Sequence, residues 1–554
     1  MRVQCGVLTA GMALLVLARN GVLFLVGWEA MALAAFLLIA TEHDKAPARR
    51  AAWVYLVATH LCTLCLAAAI ALMAGGGGLE WRAGAFDALA PERVVLVFAL
   101  ATTGFLIKAG LMPLHVWLPA AHASAPSHVS AVLSGVMLKM GAYGVLRFCA
   151  LLPPLPATCG LVVAIVAGIS ALLAVAATLG QSDVKRLLAY SSIENLGIVF
   201  CGIGLALVGR SLGITELVVL GLGGGLFHVL NHALFKPLLF LAAGSIVHAT
   251  GTREIDQLGG LARRMPRTAL AFVVGAAAIC GLPPLCGFAG EFALYLGLFR
   301  AATLDGPWIG ALGIALLACL AMVGGLAVVA FVRCTATIFL GAPRSPHAAH
   351  AHESPRTVTG TLFVLAALCV AVGLAPWTCV PLLDLAIAPF LPPSGSVSLG
   401  ALVPFGIVSA IAFATAIAVA GGLLWLRNRA RRVAPATARV GTWDCGFVDA
   451  SSPRLQYTGS SFAQFATRVL GWAVRERRES QAPLELFPAP HAFRRHAREP
   501  LLHDGFEPFL HRVAERCTAL RFLQRGKLHV YLLYILAVLL LLLAWSTLVT
   551  RAHT

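Results

Sequence analysis

Long apolar runs fill most of the chain, and five of them hold an ionisable side chain well inside: Glu29, Lys108, Lys139, Lys236 and Glu291. Segments of 18 or more apolar residues are what bilayer-spanning helices require. A charged group near the middle of such a helix costs roughly 2.5–3.5 kcal/mol, so five left alone would cost on the order of 12–17 kcal/mol. Leucine would fit every one of these positions. Their retention points to a charged species, most simply a proton, being handled inside the bilayer. Only 12% of the 554 residues are charged, against about 25% in soluble proteins. The net charge of +17 does not indicate nucleic acid, because the basic residues fall mostly in loops on one side of the helices.

The expected fold is all-α and polytopic, with about 13 spans near 3–18, 21–41, 51–74, 92–119, 128–150, 158–180, 187–207, 212–248, 268–300, 307–340, 358–378, 400–426 and 528–547. Residues 1–40 read as two such helices split by Arg19-Asn20, not as a cleavable leader. Loops after the second, sixth, eighth and tenth spans carry Lys45, Arg49 and Arg50; Lys185 and Arg186; Arg253, Arg263, Arg264 and Arg267; Arg344 and Arg356. The alternate loops hold only Arg82, Arg210 and Arg300, with no Lys or Arg in 151–157 or 379–399. Lysine and arginine mark the cytoplasmic side, so the N-terminus is expected there and Thr554 outside. Lys185 and Arg186 read as anchors of that kind.

Two spans are interrupted. The fourth reads KAGLMPLHVWLP, with Pro113 and Pro119 after Lys108; the ninth reads GLPPLCGFAGE, with Pro283 and Pro284 ahead of Glu291. A proline inside a helix removes a hydrogen bond and clashes with the previous turn. Freed backbone groups at membrane depth persist only where protein or a water-filled cavity satisfies them. The broken spans are five apart, as are the spans of Glu29 and Glu194, so each pair runs in opposite directions. That is the pattern of an inverted-repeat transporter. The expected divisions are two five-helix repeats at 1–150 and 151–340, two further spans in 341–426, a basic region at 427–527 and an anchor at 528–554.

Span eight places His228, His232 and Lys236 at i, i+4 and i+8, each about 40° round and about 6 Å along from the last. Such a stripe, with water between its members, would form a proton relay. Desolvation favours the uncharged form of Lys or Glu, and an opposite neighbour favours the charged form. A Lys108–Glu29 pair would therefore change its proton affinity on separating, which makes a switch without a cofactor. Glu194, two turns into its span, reads equally as an entrance group or a helix-contact carboxylate. The 14 Cys are scattered, and the lone C-x2-C at Cys62 and Cys65 has no second pair nearby, as a zinc or iron–sulfur site would need. His347, His350 and His352 read as solvated. No catalytic residues, metal ligands, phosphate loop or haem motif are expected.

Phe509, Leu510, Val513, Ala514, Cys517 and Leu520 recur at helical spacing, with Arg512, Arg516 and Arg521 between them. They predict an amphipathic helix lying on a membrane or a neighbour.

Three stretches, KAGLMPLHVWLPAAHASAPSHVSAVLSGVMLKMGAYGVLR, QSDVKRLLAYSSIENLGI and HVLNHALFKPLLFLAAGSIVH, resemble the proton-translocating antiporter-like membrane subunits of respiratory complex I and the group 4 hydrogenases. With GTWDCGFVDASSPRLQYTGSSFAQ at 441–464, the likeness is nearest to the hydrogenase-4 and formate hydrogenlyase branch. The resemblance implies that Glu29 pairs with the broken-helix Lys108 and that Lys139 stands on the next helix. It makes Lys236 the central lysine and Glu291 the terminal group of the second broken helix. It implies a membrane subunit without a catalytic centre in an oxidoreductase complex of a bacterial inner membrane. The nickel–iron centre and iron–sulfur clusters would sit in partner subunits, with H⁺, or Na⁺, as the moving ion. Residues 427–554 would be the lateral helix and anchor that bind neighbours. Members of the group usually have about three helices ahead of the span where this sequence starts. The competing readings are a complex I-type quinone oxidoreductase subunit, an Mrp-like cation/proton antiporter subunit and a purely structural anchor.

Overall fold

The computed structural model describes residues 1–433 except 83 and 393–396, then 456–471, with shorter pieces at 475–478, 495–498, 501–519, 521, 533–534 and 536–541. Helix boundaries fall where the sequence supplies caps and breakers. Helices α1 (Arg2–Leu17) and α2 (Gly21–Ile39) meet at Asn20, whose side chain accepts from Leu23 N at 2.7 Å. Then come α3 (Ala46–Gly77), α4 (Pro91–Ala109), the short α5 (Leu118–Ser124) and α6 (Ser127–Val132). A π-turn at Leu133–Met137 joins α6 to α7 (Lys139–Leu151). The next helices are α8 (Ala157–Gly180), α9 (Val184–Leu212) and α10 (Thr215–Thr250). Asp183 starts α9 by accepting from Lys185 N and Arg186 N at 2.8 and 3.1 Å, a side-chain cap of the usual acidic kind.

Helices α11 (Pro266–Ile279) and α12 (Gly287–Ala302) form the second broken span, followed by α13 (Pro307–Phe339) and the turn-long α14 (Pro346–Ala349). The chain continues through α15 (Arg356–Leu374), α16 (Val380–Ile387), α17 (Leu399–Leu402) and α18 (Phe405–Val433). Among the described residues nine helices are long and apolar enough to cross a membrane. The first expected span is the shorter α1, and the fourth and ninth are the broken pairs. The thirteenth, 528–547, lies outside the described residues apart from helical pieces at 533–534 and 536–541.

Two local expectations are corrected. The prolines do not break helices from within: α4 ends at Gly110 (φ +75°), and Pro119 opens α5 in its first turn, where proline is tolerated. Pro283 and Pro284 lie between α11 and α12. Residues 379–390, expected as loop, belong to a short apolar helical segment, Pro376–Phe390. Its one acid, Asp384, accepts from Ser398 Oγ and Leu399 N, while Val380, Leu383 and Ile387 face inward.

Helix α9 is buried throughout its spanning stretch, which small residues make possible. A Cβ on Gly160 of α8 would lie 2.7 Å from Val208 N, and one on Gly204 of α9 would lie 2.6 Å from Ala164 N. Helices that close have backbones in contact, the packing mode of membrane helices, which have no hydrophobic drive to associate.

Helix α19 (Gly459–Val469) turns Ala463 and Thr467 inward, with Leu470 just beyond it, and exposes Phe462, Phe465 and Val469. Its N-terminus is held by Asp256, which accepts from Gly459 N and Ser460 Oγ, both at 2.6 Å. A small ladder pairs Arg475–Arg478 with Arg495–Arg498. The second compact unit, Glu499–Thr554, contains the expected amphipathic helix as α20 (Glu507–Thr518); Leu520 and residues 441–455 lie outside the described residues.

Candidate functional site

Helix α10 carries the expected stripe, but its members turn sideways to neighbouring helices rather than to one another. His228 Nε2 meets Asn195 Oδ1 of α9 at 2.9 Å. His232 Nδ1 is hydrogen-bonded to Lys139 Nζ of α7. Lys236 Nζ donates to Leu188 O and Ser191 Oγ of α9 at 2.9 and 2.6 Å. One turn further, Phe240 stacks on His122 of α5 at 5.0 Å. All of these polar residues are buried.

Two backbone irregularities face each other at the centre. Pro237 lies inside α10, where it cannot donate to the carbonyl four residues back. The π-turn packs on it: a Cβ on Gly135 would lie 2.6 Å from Pro237 Cγ. The turn sends Leu138 N to Leu133 O, and Ser134 O accepts from the Lys139 ammonium. Ser134 Oγ meets Ser192 Oγ at 2.8 Å, and Ser192 donates to Leu188 O at 3.0 Å, the carbonyl that also holds Lys236. The hydroxyls of Ser134 and Ser192 and the carbonyls of Ser134 and Leu188 thus connect the two lysines through α9. Single-turn π-bulges of this kind are frequent at functional sites.

The first broken span differs from the expected ion pair. Lys108 donates to Tyr55 OH at 2.9 Å and lies 5.6 Å from the Trp28 ring centroid, while Glu29 accepts from Thr63. No Glu29–Lys108 contact within 4.0 Å occurs among the described residues. The physical reason is α3. Tyr55 and Thr63 are eight residues apart on one face, about 12 Å along the axis, so the ammonium and carboxylate attach to different ends of a hydroxyl stripe. Buried Thr59 lies between them.

Glu194 is buried, with Oε2 lacking a protein partner, and it is in electrostatic reach of Lys236 and Glu291. That is a buried position inside the helix bundle. Glu291 sits in α12 against Gly281 (φ +62°), a Cβ on which would lie 2.6 Å from Oε2. Its carboxylate lines a cavity of about 300 Å³ with Cys280, Tyr295 and Gly324. The neighbouring Gly290 packs on Asn231, whose amide has no partner at either atom. Among the described residues, no group of three or more His, Cys, Asp or Glu is placed to hold a metal ion.

The family described as NADH:quinone oxidoreductase/Mrp antiporter, TM, matches residues 18–316, the region that holds every charged and polar side chain above. Hydrogenase-4 component B of Escherichia coli (strain K12) is 37% identical over 96% of this chain and 81% of its own length. The chain belongs to this antiporter-like membrane family. Formate hydrogenlyase subunit 3 of the same organism is 38% identical over 54% of this chain and 49% of its own. The membrane-bound sulfane sulfur reductase, an archaeal respiratory membrane complex, contains a chain of the same fold: TM-score 0.68, 22% identity, covering 97% of this chain and 83% of that one. A chain of the Mrp complex from Dietzia sp. DQ12-45-1b superposes with TM-score 0.61 at 23% identity, over 70% and 77%.

Residues missed in the sequence are Tyr55, Thr63, His122, Ser134, Ser191, Asn195 and Asn231. One signal was available: Tyr55, Thr59 and Thr63 have the same i, i+4, i+8 spacing as His228, His232 and Lys236, five spans earlier.

Proposed function

We propose that this chain is the proton-translocating membrane subunit of a redox-driven complex of the hydrogenase-4 or formate hydrogenlyase type. The observation that carries the reading is the buried link from Lys139 to His232 on one side, and by way of Ser134, Ser192 and Leu188 to Lys236 on the other. Exchangeable groups continue from Lys236 through Glu194, His228 and Asn231 to Glu291, and from Lys139 back to Lys108 and Glu29. His228 Nδ1, His232 Nε2 and both Asn231 amide atoms lack protein partners. Buried polar atoms so placed are the donors and acceptors that an internal water needs. Each lysine is held by neutral dipoles rather than locked to a carboxylate, so its proton responds to a neighbouring charge that changes.

The two broken spans, five apart, support two inverted repeats at 1–150 and 151–340. The basic loops support a cytoplasmic position for the face bearing Lys45, Lys185 and Arg253, in a bacterial inner membrane. The nickel–iron and iron–sulfur centres then belong to partner subunits, consistent with the scattered Cys of this chain. The likeness to an Mrp complex chain favours, as second reading, cation/proton antiport without redox chemistry.

The test is the Lys236→Ala variant in proteoliposomes holding the whole complex. Redox-driven H⁺ movement should vanish while the complex still assembles; normal pumping would refute the relay. A Na⁺ gradient that drives H⁺ movement without any redox substrate would select the second reading.

A further inference from the structure

A cavity of about 420 Å³ opens on the face opposite the basic loops, lined by Arg19, Asn20, Glu80, Trp81, Arg82 and Arg147. Backbone hydrogen bonds hold its rim. Gly21 N donates to Leu79 O at 2.9 Å and Trp81 N to Arg19 O at 2.8 Å, which zips the corner between α1 and α2 to the 79–82 stretch. Arg147, near the end of α7, has its guanidinium carbon 5.8 Å from the Trp81 ring centroid. Trp81 is in turn packed on Phe24 and Phe148. A ring face thus positions the Arg147 cation without using any of its N–H groups.

Three guanidiniums and one carboxylate line this cavity, an excess of two positive charges. Glu80 is taken by Arg82. Among the described residues, the Arg19 and Arg147 guanidiniums make no hydrogen bond or ion pair, and Arg147 Nε is also out of solvent. The other arginines of this face are occupied: Arg210 donates to Cys149 O and Arg300 to Glu216, both at 2.6 Å. A guanidinium has five donors and no acceptor, so such a group of them fits an anion. Its planar fork matches phosphate oxygens two at a time. Leu17 and Val22, on either side of the corner, are 74% and 54% exposed. They give the cavity an apolar flank at the end of two spans, the depth at which tryptophans such as Trp81 are enriched.

We propose that this cavity binds a phosphate group of net negative charge, supplied by an anionic phospholipid of the leaflet it faces. Arg19 and Arg147 hold the phosphate oxygens, Arg82 with Glu80 closes the rim, and the acyl chains run down the Leu17 and Val22 side. Free phosphate shares the headgroup chemistry but has nothing to place on that apolar flank. The site is separate from the buried line of Glu, Lys and His, and it does not depend on the proton-translocating reading.

The test titrates short-chain phosphatidylglycerol into the whole complex in uncharged detergent, with amide hydrogen exchange of residues 79–82 as the readout. Exchange there should slow as the lipid is added, and short-chain phosphatidylcholine, whose choline the arginines repel, should have far less effect. Arg19→Gln changes an exposed side chain that the packing does not need. It should raise the half-saturating lipid concentration about tenfold or more, the scale of one hydrogen bond to a charged group. Arg147→Gln should do at least as much. Equal slowing by inorganic phosphate alone keeps the phosphate site and overturns the lipid as its source. No slowing in the wild type, equal slowing by phosphatidylcholine, or an unchanged titration in both variants overturns the site.

Discussion

The Lys108 ammonium donates its hydrogen bond to the Tyr55 hydroxyl at 2.9 Å, while the Glu29 carboxylate is bonded to Thr63, two turns away along α3. Sequence reasoning paired lysine and glutamate directly; the fold places a stripe of hydroxyls between them. A direct ion pair stores its charges, and breaking one is strongly unfavourable. Two charges spaced along hydroxyls feel each other without being locked, so a proton can be redistributed by a small shift.

Tyr55→Phe should therefore uncouple Lys108 while preserving the ring contact with Trp117. A hydrogen bond to a charged group contributes about 1.5–3 kcal/mol. Loss of that bond from the state that transfers the proton should slow proton movement by the reconstituted complex roughly ten- to a hundredfold. An unchanged rate, read by an internal pH dye, would mean that the phenol is only a packing group.

Gly135→Ala should disturb the centre through sterics alone. The added Cβ would lie 2.6 Å from Pro237 Cγ, a ring that cannot swing away. Overpacking of this kind typically destabilises by about 1–3 kcal/mol. The expected result is a lower melting temperature of the detergent-solubilised complex together with reduced pumping. A variant as stable as the wild type would show that the π-turn yields more easily than the packing suggests.

Lys139 and His232 should behave as one unit. Each is the other's hydrogen-bonding partner, so Lys139→Ala and His232→Ala are expected to be non-additive. Their interaction term in a double-mutant cycle of pumping rates should fall within about 0.5–3 kcal/mol. Strict additivity would place them on separate routes.

Asp256→Ala should loosen α19 and leave the buried line alone. The carboxylate is the N-terminal cap of that helix, contributed from 203 residues away. Loss of a cap destabilises a helix by about 0.5–2 kcal/mol. Trypsin should then cut faster after Arg468, as mass spectrometry of timed digests would reveal; equal cleavage rates would mean that the inward packing of Ala463 and Leu470 holds the helix unaided.

The sequence alone determined that the chain lies in a membrane, nearly all of its spans, the two interruptions and the stripe on α10. Each follows from local physics: an apolar run long enough to cross must form a helix, and a period of four residues fixes which side chains share a face. Even the α3 hydroxyls had that period, but hydroxyls in an apolar helix are ordinarily spent on their own backbone carbonyls. Only the tertiary structure decided what each charge touches: Tyr55 rather than Glu29 for Lys108, Ser134 and His232 for Lys139, Ser191 and Leu188 for Lys236. The cost of burying a charge can be met by any suitably placed dipole. Which dipole arrives depends on the crossing of helices far apart in sequence, here set by Gly135 against Pro237 and by the close approach of α8 to α9.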